Sequence, residues 1–215
     1  MRLANALSGR VERLVPRVPP LVQWYLCGPT VYNHAHLGHA RTMVSFDLLR
    51  RFLHKRGHYV DLAISITDVD DKVIRAARER STPALELAAE FESSFFEDMD
   101  ALGVLRPNAA LRVSDHIEDI IDFARRIESQ GFAYPDGSGN LWFDTRAFDQ
   151  SGHHKYGKLR PAAFKERERG IESEHGKKSS SDFALWKAAK DGEIFWESPW
   201  GKGRPGWHIE CSAMS

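Results

Sequence analysis

"LVQWYLCGPTVYNHAHLGHARTMVSFDLLRRFLHKRGHYVDLAISIT", residues 21–67, is the stretch that decides the fold. Leu21–Cys27 reads as a buried strand from its β-branched and aromatic content. Leu37, Ala40, Val44, Leu48 and Phe52 recur at helical spacing, so they predict a helix with that stripe as its apolar face and Gly57 as its stop. Tyr59–Thr67, partly apolar and partly alternating, reads as a second strand. Strand, helix and strand in so short a span predict a right-handed parallel βαβ unit in an α/β fold. Ligands of such sheets gather beyond the carboxyl ends of the strands, which places Cys27 and Thr67 on one rim.

Outward from this unit the chain is less regular. Residues 1–20 are basic and proline-bearing and predict an irregular lead-in. Ala88, Phe91, Phe95, Met99 and Leu102 form one helical stripe. Ile117, Ile120, Ile121, Ala124 and Ile127 form another, with Ser114 or Asp115 as N-cap and Gly131 as stop. Gly139–Thr145 reads as a short strand after a Pro-Asp-Gly turn. Gln150–Ser181 is charged and aperiodic and predicts a surface loop or flexible insertion. "DFALWKAAK" reads as a short helix or turn. "WESPWGKGRPGW" then leads into a helix that starts near His208.

A chain of 215 residues can bury a sizeable core. Its 30 basic and 30 acidic residues cancel, so net charge points to neither a nucleic-acid nor a membrane surface. No apolar run approaches the roughly 18 residues that cross a bilayer, and no signal-peptide core follows Met1. Two cysteines make no disulfide scaffold. They point to a reducing, cytosolic setting in which the pair reads as metal ligands or reactive thiols.

Four constellations carry chemistry. In "HLGH" the spacing puts His36 and His39 on one face of a helix's first turn, where unpaired N–H groups suit a polyphosphate, and Gly38 leaves room for a flat base. Ordinary helix capping is the alternative. In "TDVDDK" (Thr67–Lys72) one of Asp68, Asp70 and Asp71 caps the helix that follows, or the group faces a ligand. Cys27 and Cys211 are two thiols, with His208 as a conceivable third ligand, whereas zinc takes three or four; each cysteine is otherwise a small buried hydrophobe. "WESPWGKGRPGWHIEC" suits a rigid loop whose rings wall a pocket, with Trp207 next to Cys211 along the helix.

"CGPTVYNHAHLGHART", "ITDVDDKVIRAA", "DFALWKAAK" and "SPWGKGRPGWHIECSAMS", in that order, resemble the cysteinyl-tRNA synthetases, a class I aminoacyl-tRNA synthetase family. The resemblance runs over nearly all of Leu21–Ser215. It implies the first half of a Rossmann-like (HUP-type) parallel-sheet nucleotide-binding domain with a largely helical insertion. The implied division is a lead-in (1–20), the first half of the catalytic domain (21–82), a helical and connective region (83–181) and a return to the catalytic domain (182–215). "HLGH" stands for the class signature, making His36 and His39 catalytic and His36, Gly38 and His39 contacts to ATP. Gly28, Thr67 and Trp207 match residues lining the cysteine pocket, and Cys27 and Cys211 match zinc ligands. The family's other zinc ligands, a histidine and a glutamate, lie further downstream, which tells against His208.

The implied activity is formation of cysteinyl-adenylate from L-cysteine and ATP with Mg2+, followed by transfer to tRNA(Cys), in the cytoplasm and as a monomer. One zinc ion would select the substrate thiol, because shape alone separates sulfur from oxygen by only a modest factor. The downstream ligands and the family's KMSKS loop do not occur in the sequence, so the resemblance implies an incomplete portion, inactive alone. A ligase joining cysteine to an amino sugar and a non-catalytic paralogue are the alternatives.

Overall fold

A computed structural model describes residues 1–159 and 176–215. Its contacts divide into two units, Val15–Ile117 with Met214–Ser215, and Met1–Leu14 with Glu118–Ala213.

The first unit is α/β. Strands β3 (Leu21–Leu26), β4 (Tyr59–Ile66) and β5 (Ala109–Arg112) form a parallel sheet with β4 in the centre. Helix α1 (Leu37–Lys55) connects β3 to β4, and α2 (Asp71–Arg80) and α3 (Ala84–Ala101) connect β4 to β5. This is the parallel unit that the alternation of periods predicts. Val31, Ile66, Val73, Leu87 and Phe91 are almost wholly buried and pack as one cluster joining β4 to α2 and α3. Each contributes about 1.5–3 kcal/mol by leaving water.

Helix α1 is present, but its buried face differs from the predicted one. Leu37, Val44, Leu48 and Phe52 stand 85%, 45%, 69% and 45% exposed, while Met43, Arg50 and Leu53 are buried. The inward face follows the i, i+3/i+4, i+7 series through Met43, Phe46, Asp47 and Arg50, about 130° round from the apolar stripe. Arg50 can lie inside because its guanidinium donates to the Arg106 carbonyl at 2.7 Å and to Asn108 Oδ1 at 2.8 Å. Buried charge is tolerated where it is bonded in this way.

The second unit holds an antiparallel sheet in the order β6 (Ala133–Pro135), β7 (Leu141–Phe143), β8 (Phe183–Ala188) and β9 (Gly203–Pro205). It also contains α4 (Ile117–Ser129), α5 (Thr145–Gln150), α6 (Trp207–Met214) and the hairpin β1 (Arg2–Asn5) with β2 (Arg10–Arg13). Several expectations are corrected here. The lead-in forms a hairpin, closed where Gly9 donates to the Asn5 carbonyl at 2.8 Å with φ +69°. "DFALWKAAK" is strand β8, paired on both sides and centred on the fully buried Trp186. The stretch before α4 is a 3-10 turn over Val113–His116, so neither Ser114 nor Asp115 caps that helix.

The expected loop Gln150–Ser181 lies partly outside the described residues, at 160–175. Its end is not a surface loop, because Ser179 and Ser181 are buried beside Asp182. Asp182 Oδ1 accepts from the Thr145 amide (3.0 Å) and hydroxyl (2.8 Å), and Oδ2 accepts from the Ser179 amide (3.0 Å) and the Tyr134 hydroxyl (2.7 Å).

Candidate functional site

The carboxyl ends of β3 and β4 are stitched together by main chain. Thr67 N donates to the Pro29 carbonyl at 3.0 Å and Val31 N to the Thr67 carbonyl at 3.1 Å. Gly28 N donates to Ser65 Oγ at 2.9 Å. A Cβ on Gly28 would stand 1.9 Å from the Ser65 carbonyl oxygen and 2.7 Å from Ile64 Cγ1, so no side chain fits. Cys27 is thereby held exposed at the end of β3 and Thr67 buried at the end of β4, on the rim that the strand order predicts. Ser65 carries no signal in the sequence that would mark it as the partner of Gly28.

Two of the three aspartates of "TDVDDK" are structural. Asp70 caps α2, its Oδ1 accepting from Lys72 N at 2.8 Å. Asp68 is buried, and its Oδ1 accepts from the Ser114 amide at 3.0 Å while Oδ2 accepts from the Ser114 hydroxyl. It thus ties the ends of β4 and β5. Burial pushes its carboxyl above the usual carboxylate range, and the Ser114 hydrogen bonds only partly offset this.

At the start of α1 the two histidines cap each other. His36 is the N-cap, and its Nδ1 accepts from Gly38 N at 3.0 Å. His39 Nδ1 accepts from His36 N at 3.3 Å, which completes a capping box built from imidazoles. The rings stack with centroids 4.0 Å apart. Gly38 is required here, since a Cβ would meet the His36 ring at 2.8 Å. The space left by Gly38 therefore takes His36, where the sequence suggested a ligand's base.

A ring nitrogen that accepts carries no proton, so each neutral imidazole must hold its proton on Nε2. Desolvation first, and the neighbouring His36 second, push the His39 pKa below its ordinary value and so favour this neutral form. An exposed and a half-buried imidazole, each with its Nε2–H free of the cap, thus stand together at the partly positive start of a 19-residue helix. Capping and ligand binding were alternatives in the sequence. The geometry shows the capping.

In the other unit α6 begins at Trp207, which is 59% exposed, with Cys211 half-buried one turn later. The His208 ring packs edge-on against Phe183 at 5.0 Å. Gly206, immediately before α6, approaches β8 so closely that a Cβ would stand 1.9 Å from the Ala184 carbonyl oxygen. Neither cysteine is disulfide-bonded. Among the described residues no three His, Cys, Asp or Glu side chains gather as a metal site. The two thiols by themselves are fewer donors than zinc takes.

Residues 14–215 match the family described as tRNA synthetases class I (C) catalytic domain. The chain is 48% identical over 217 residues to the cysteine–tRNA ligase of Thermococcus onnurineus, 46% to that of Pyrococcus horikoshii and 47% to that of Geobacillus thermodenitrificans. All of the chain is covered in each case, but only 44%, 44% and 45% of the relative, so it spans less than half their length. Among solved structures, Mycobacterium tuberculosis methionyl-tRNA synthetase in complex with methionyl-adenylate superposes with a TM-score of 0.64 at 15% identity, covering 90% of this chain and 46% of that one. This likeness shows the fold. With its parallel sheet, its paired histidines at the start of α1 and a match over nearly its whole length, the chain belongs to the class I (C) tRNA synthetase catalytic domain family.

Proposed function

We propose that this chain belongs to a cysteine-activating enzyme that joins L-cysteine to ATP and then passes it to tRNA(Cys). The observation that carries the reading is the reciprocal cap, which aims two Nε2–H donors from the start of α1. The ATP phosphates would lie against His36, Gly38 and His39. The cysteine carboxylate attacks the α-phosphorus, forming a mixed anhydride as the bond to the β-phosphate oxygen breaks and pyrophosphate leaves. His36 and His39 donate to oxygens on which negative charge builds during that step. Because both hydrogen-bond partners are fixed before substrate arrives, no reorganisation is needed as the charge develops. The 3′-terminal ribose hydroxyl of the tRNA then attacks the carbonyl and releases AMP. Mg2+ would accompany ATP as the counter-ion of its phosphates.

Gly28, Thr67 and Trp207 are the proposed cysteine contacts. Cys27 and Cys211 are the proposed thiolate ligands of one zinc ion, completed by donors from outside the described residues. Zinc would bind a substrate thiolate and reject a hydroxyl. The relatives, all cysteine–tRNA ligases, favour tRNA over an amino sugar as acceptor. Among the described residues no helix is long and apolar enough to cross a membrane. The whole enzyme we propose is a cytoplasmic monomer.

Calorimetric titration of the chain with ATP and with a sulfamoyl analogue of cysteinyl-adenylate tests the reading. We expect saturable binding, weakened at least about tenfold in His39→Ala, a loss of the size of a charge-assisted hydrogen bond. Absence of binding, or binding that both His36→Ala and His39→Ala leave intact, would overturn it. The 215-residue chain by itself should not support cysteine-dependent ATP–pyrophosphate exchange; measurable exchange would refute that part.

A further inference from the structure

The mutual cap fixes His36 and His39 relative to each other, and Asp47 and Arg50 bond the later turns of α1 to the segment Leu105–Asn108. The segment that enters α1 is restrained from another side, by α3. His34, two residues before the cap, has its Nδ1 2.9 Å from Ser94 Oγ, and its ring lies edge-on to Phe91 with centroids 5.0 Å apart. The His39 ring lies edge-on to Phe95 at 6.3 Å. Phe91, Ser94 and Phe95 follow the i, i+3, i+4 series and so share one face of α3. Phe91 and Phe95 are 0% and 3% exposed, so this face is anchored in the core and cannot follow a moving ring. His34 itself is exposed and takes no part in the cap. Its amide donates to Asn33 Oδ1 at 2.9 Å, while its ring bonds a hydroxyl on a different helix.

We propose that Ser94 is a positioning residue, which holds the backbone entering α1 through His34 and so sets the direction in which His36 and His39 present their Nε2–H groups. The proposal rests on the reading that those groups meet a phosphate, and it adds α3 to the machinery of that site. Ser94 need not touch the nucleotide. Its hydroxyl acts on the turn at Asn33–Ala35, and the cap transmits the orientation. Loss of the bond leaves both histidines in place but aimed over a wider range, and each phosphate contact depends steeply on angle.

Long-range 1H–15N spectra of the chain labelled at histidine, with and without ATP, test this. In the unaltered chain His36 and His39 should each show a single Nε2–H tautomer, and ATP should shift both Nε2 signals. Ser94→Ala should shift and broaden the ring signals of His36 and His39 while keeping their Nε2–H tautomer and the amide dispersion, and should weaken ATP binding about three- to tenfold. Ser94→Thr keeps the hydroxyl and should restore both. His34→Gln leaves α3 intact and should reproduce the loss from the other side. If Ser94→Ala and His34→Gln bind ATP within twofold of the unaltered chain and leave both ring signals unmoved, the proposal is wrong. If ATP shifts no histidine signal in the unaltered chain, the phosphate reading falls, while the ring signals in Ser94→Ala still decide whether α3 positions the rings.

Discussion

Gly28→Ala is the sharpest test of how the rim is built. The added methyl would sit 1.9 Å from the Ser65 carbonyl oxygen, which is main chain of the central strand and has no rotamer into which to retreat. Ordinary contact begins about 1.5 Å further out, so the end of β3 must separate from β4 by a comparable amount. That movement stretches the Gly28–Ser65 bond, now 2.9 Å, and the Thr67–Pro29 and Val31–Thr67 main-chain bonds, now 3.0 and 3.1 Å. Overpacking of this kind costs about 1–3 kcal/mol, and each bond lost adds about 0.5–1.5 kcal/mol. A loss of about 2–4 kcal/mol follows, a large share of the 5–15 kcal/mol that holds an ordinary domain together. Urea unfolding should show a lower midpoint at unchanged slope. Gly131→Ala is the control, since nothing stands within 4 Å of its Cβ and only its φ of +79° resists substitution, at about 1 kcal/mol. A Gly28→Ala midpoint equal to or above that of Gly131→Ala would refute the close-approach argument.

Three further outcomes can be checked. The His39 pKa lies below its unfolded value, so the unfolded chain takes up the proton first; the contribution is complete above pH of about 6.5 and is lost as pH falls. His39→Gln should therefore flatten the decline in urea midpoint between pH 7.5 and 5, and an unchanged slope would contradict this. The Asp68 pKa is raised in the fold, so its contribution is complete below the usual carboxylate pKa of about 4 and is lost as pH rises. The difference in stability between Asp68→Asn and the unaltered chain should then shift in favour of the variant from pH 4 to pH 7, and the reverse trend would be fatal. Glu92 accepts two bonds from Arg112, both 2.7 Å; because Arg112 is 45% exposed, Glu92→Gln should cost only about 0.5–1.5 kcal/mol by thermal unfolding, and a larger loss would mean that the pair is less screened than its exposure implies.

The parallel unit was legible because period and length separate its strands from its helix. The orientation of α1 was not. Periodicity reports where apolar residues lie, but burial here follows Arg50, which reaches acceptors on Arg106 and Asn108 more than fifty residues away. Strand β8 was misread because Ala, Leu and Lys favour helix locally, whereas pairing with β7 and β9 decides the matter. The histidines and Gly38 could be placed at a helix start from spacing alone. Their reciprocal cap could not, since imidazole is an uncommon cap, and Ser65 and Ser94 stand 37 and 60 positions from the residues they hold. Contacts of that range leave no trace in a local pattern.

Asp182 makes the start of β8 depend on a single side chain. Its carboxylate gathers Tyr134, Thr145 and Ser179 around one buried point, directly before that strand begins. Removing the carboxylate would orphan donors on three separate segments at once, two of them far away in sequence. A single truncation to a methyl there would loosen β6, α5 and β8 together, as a knot does when one thread is cut.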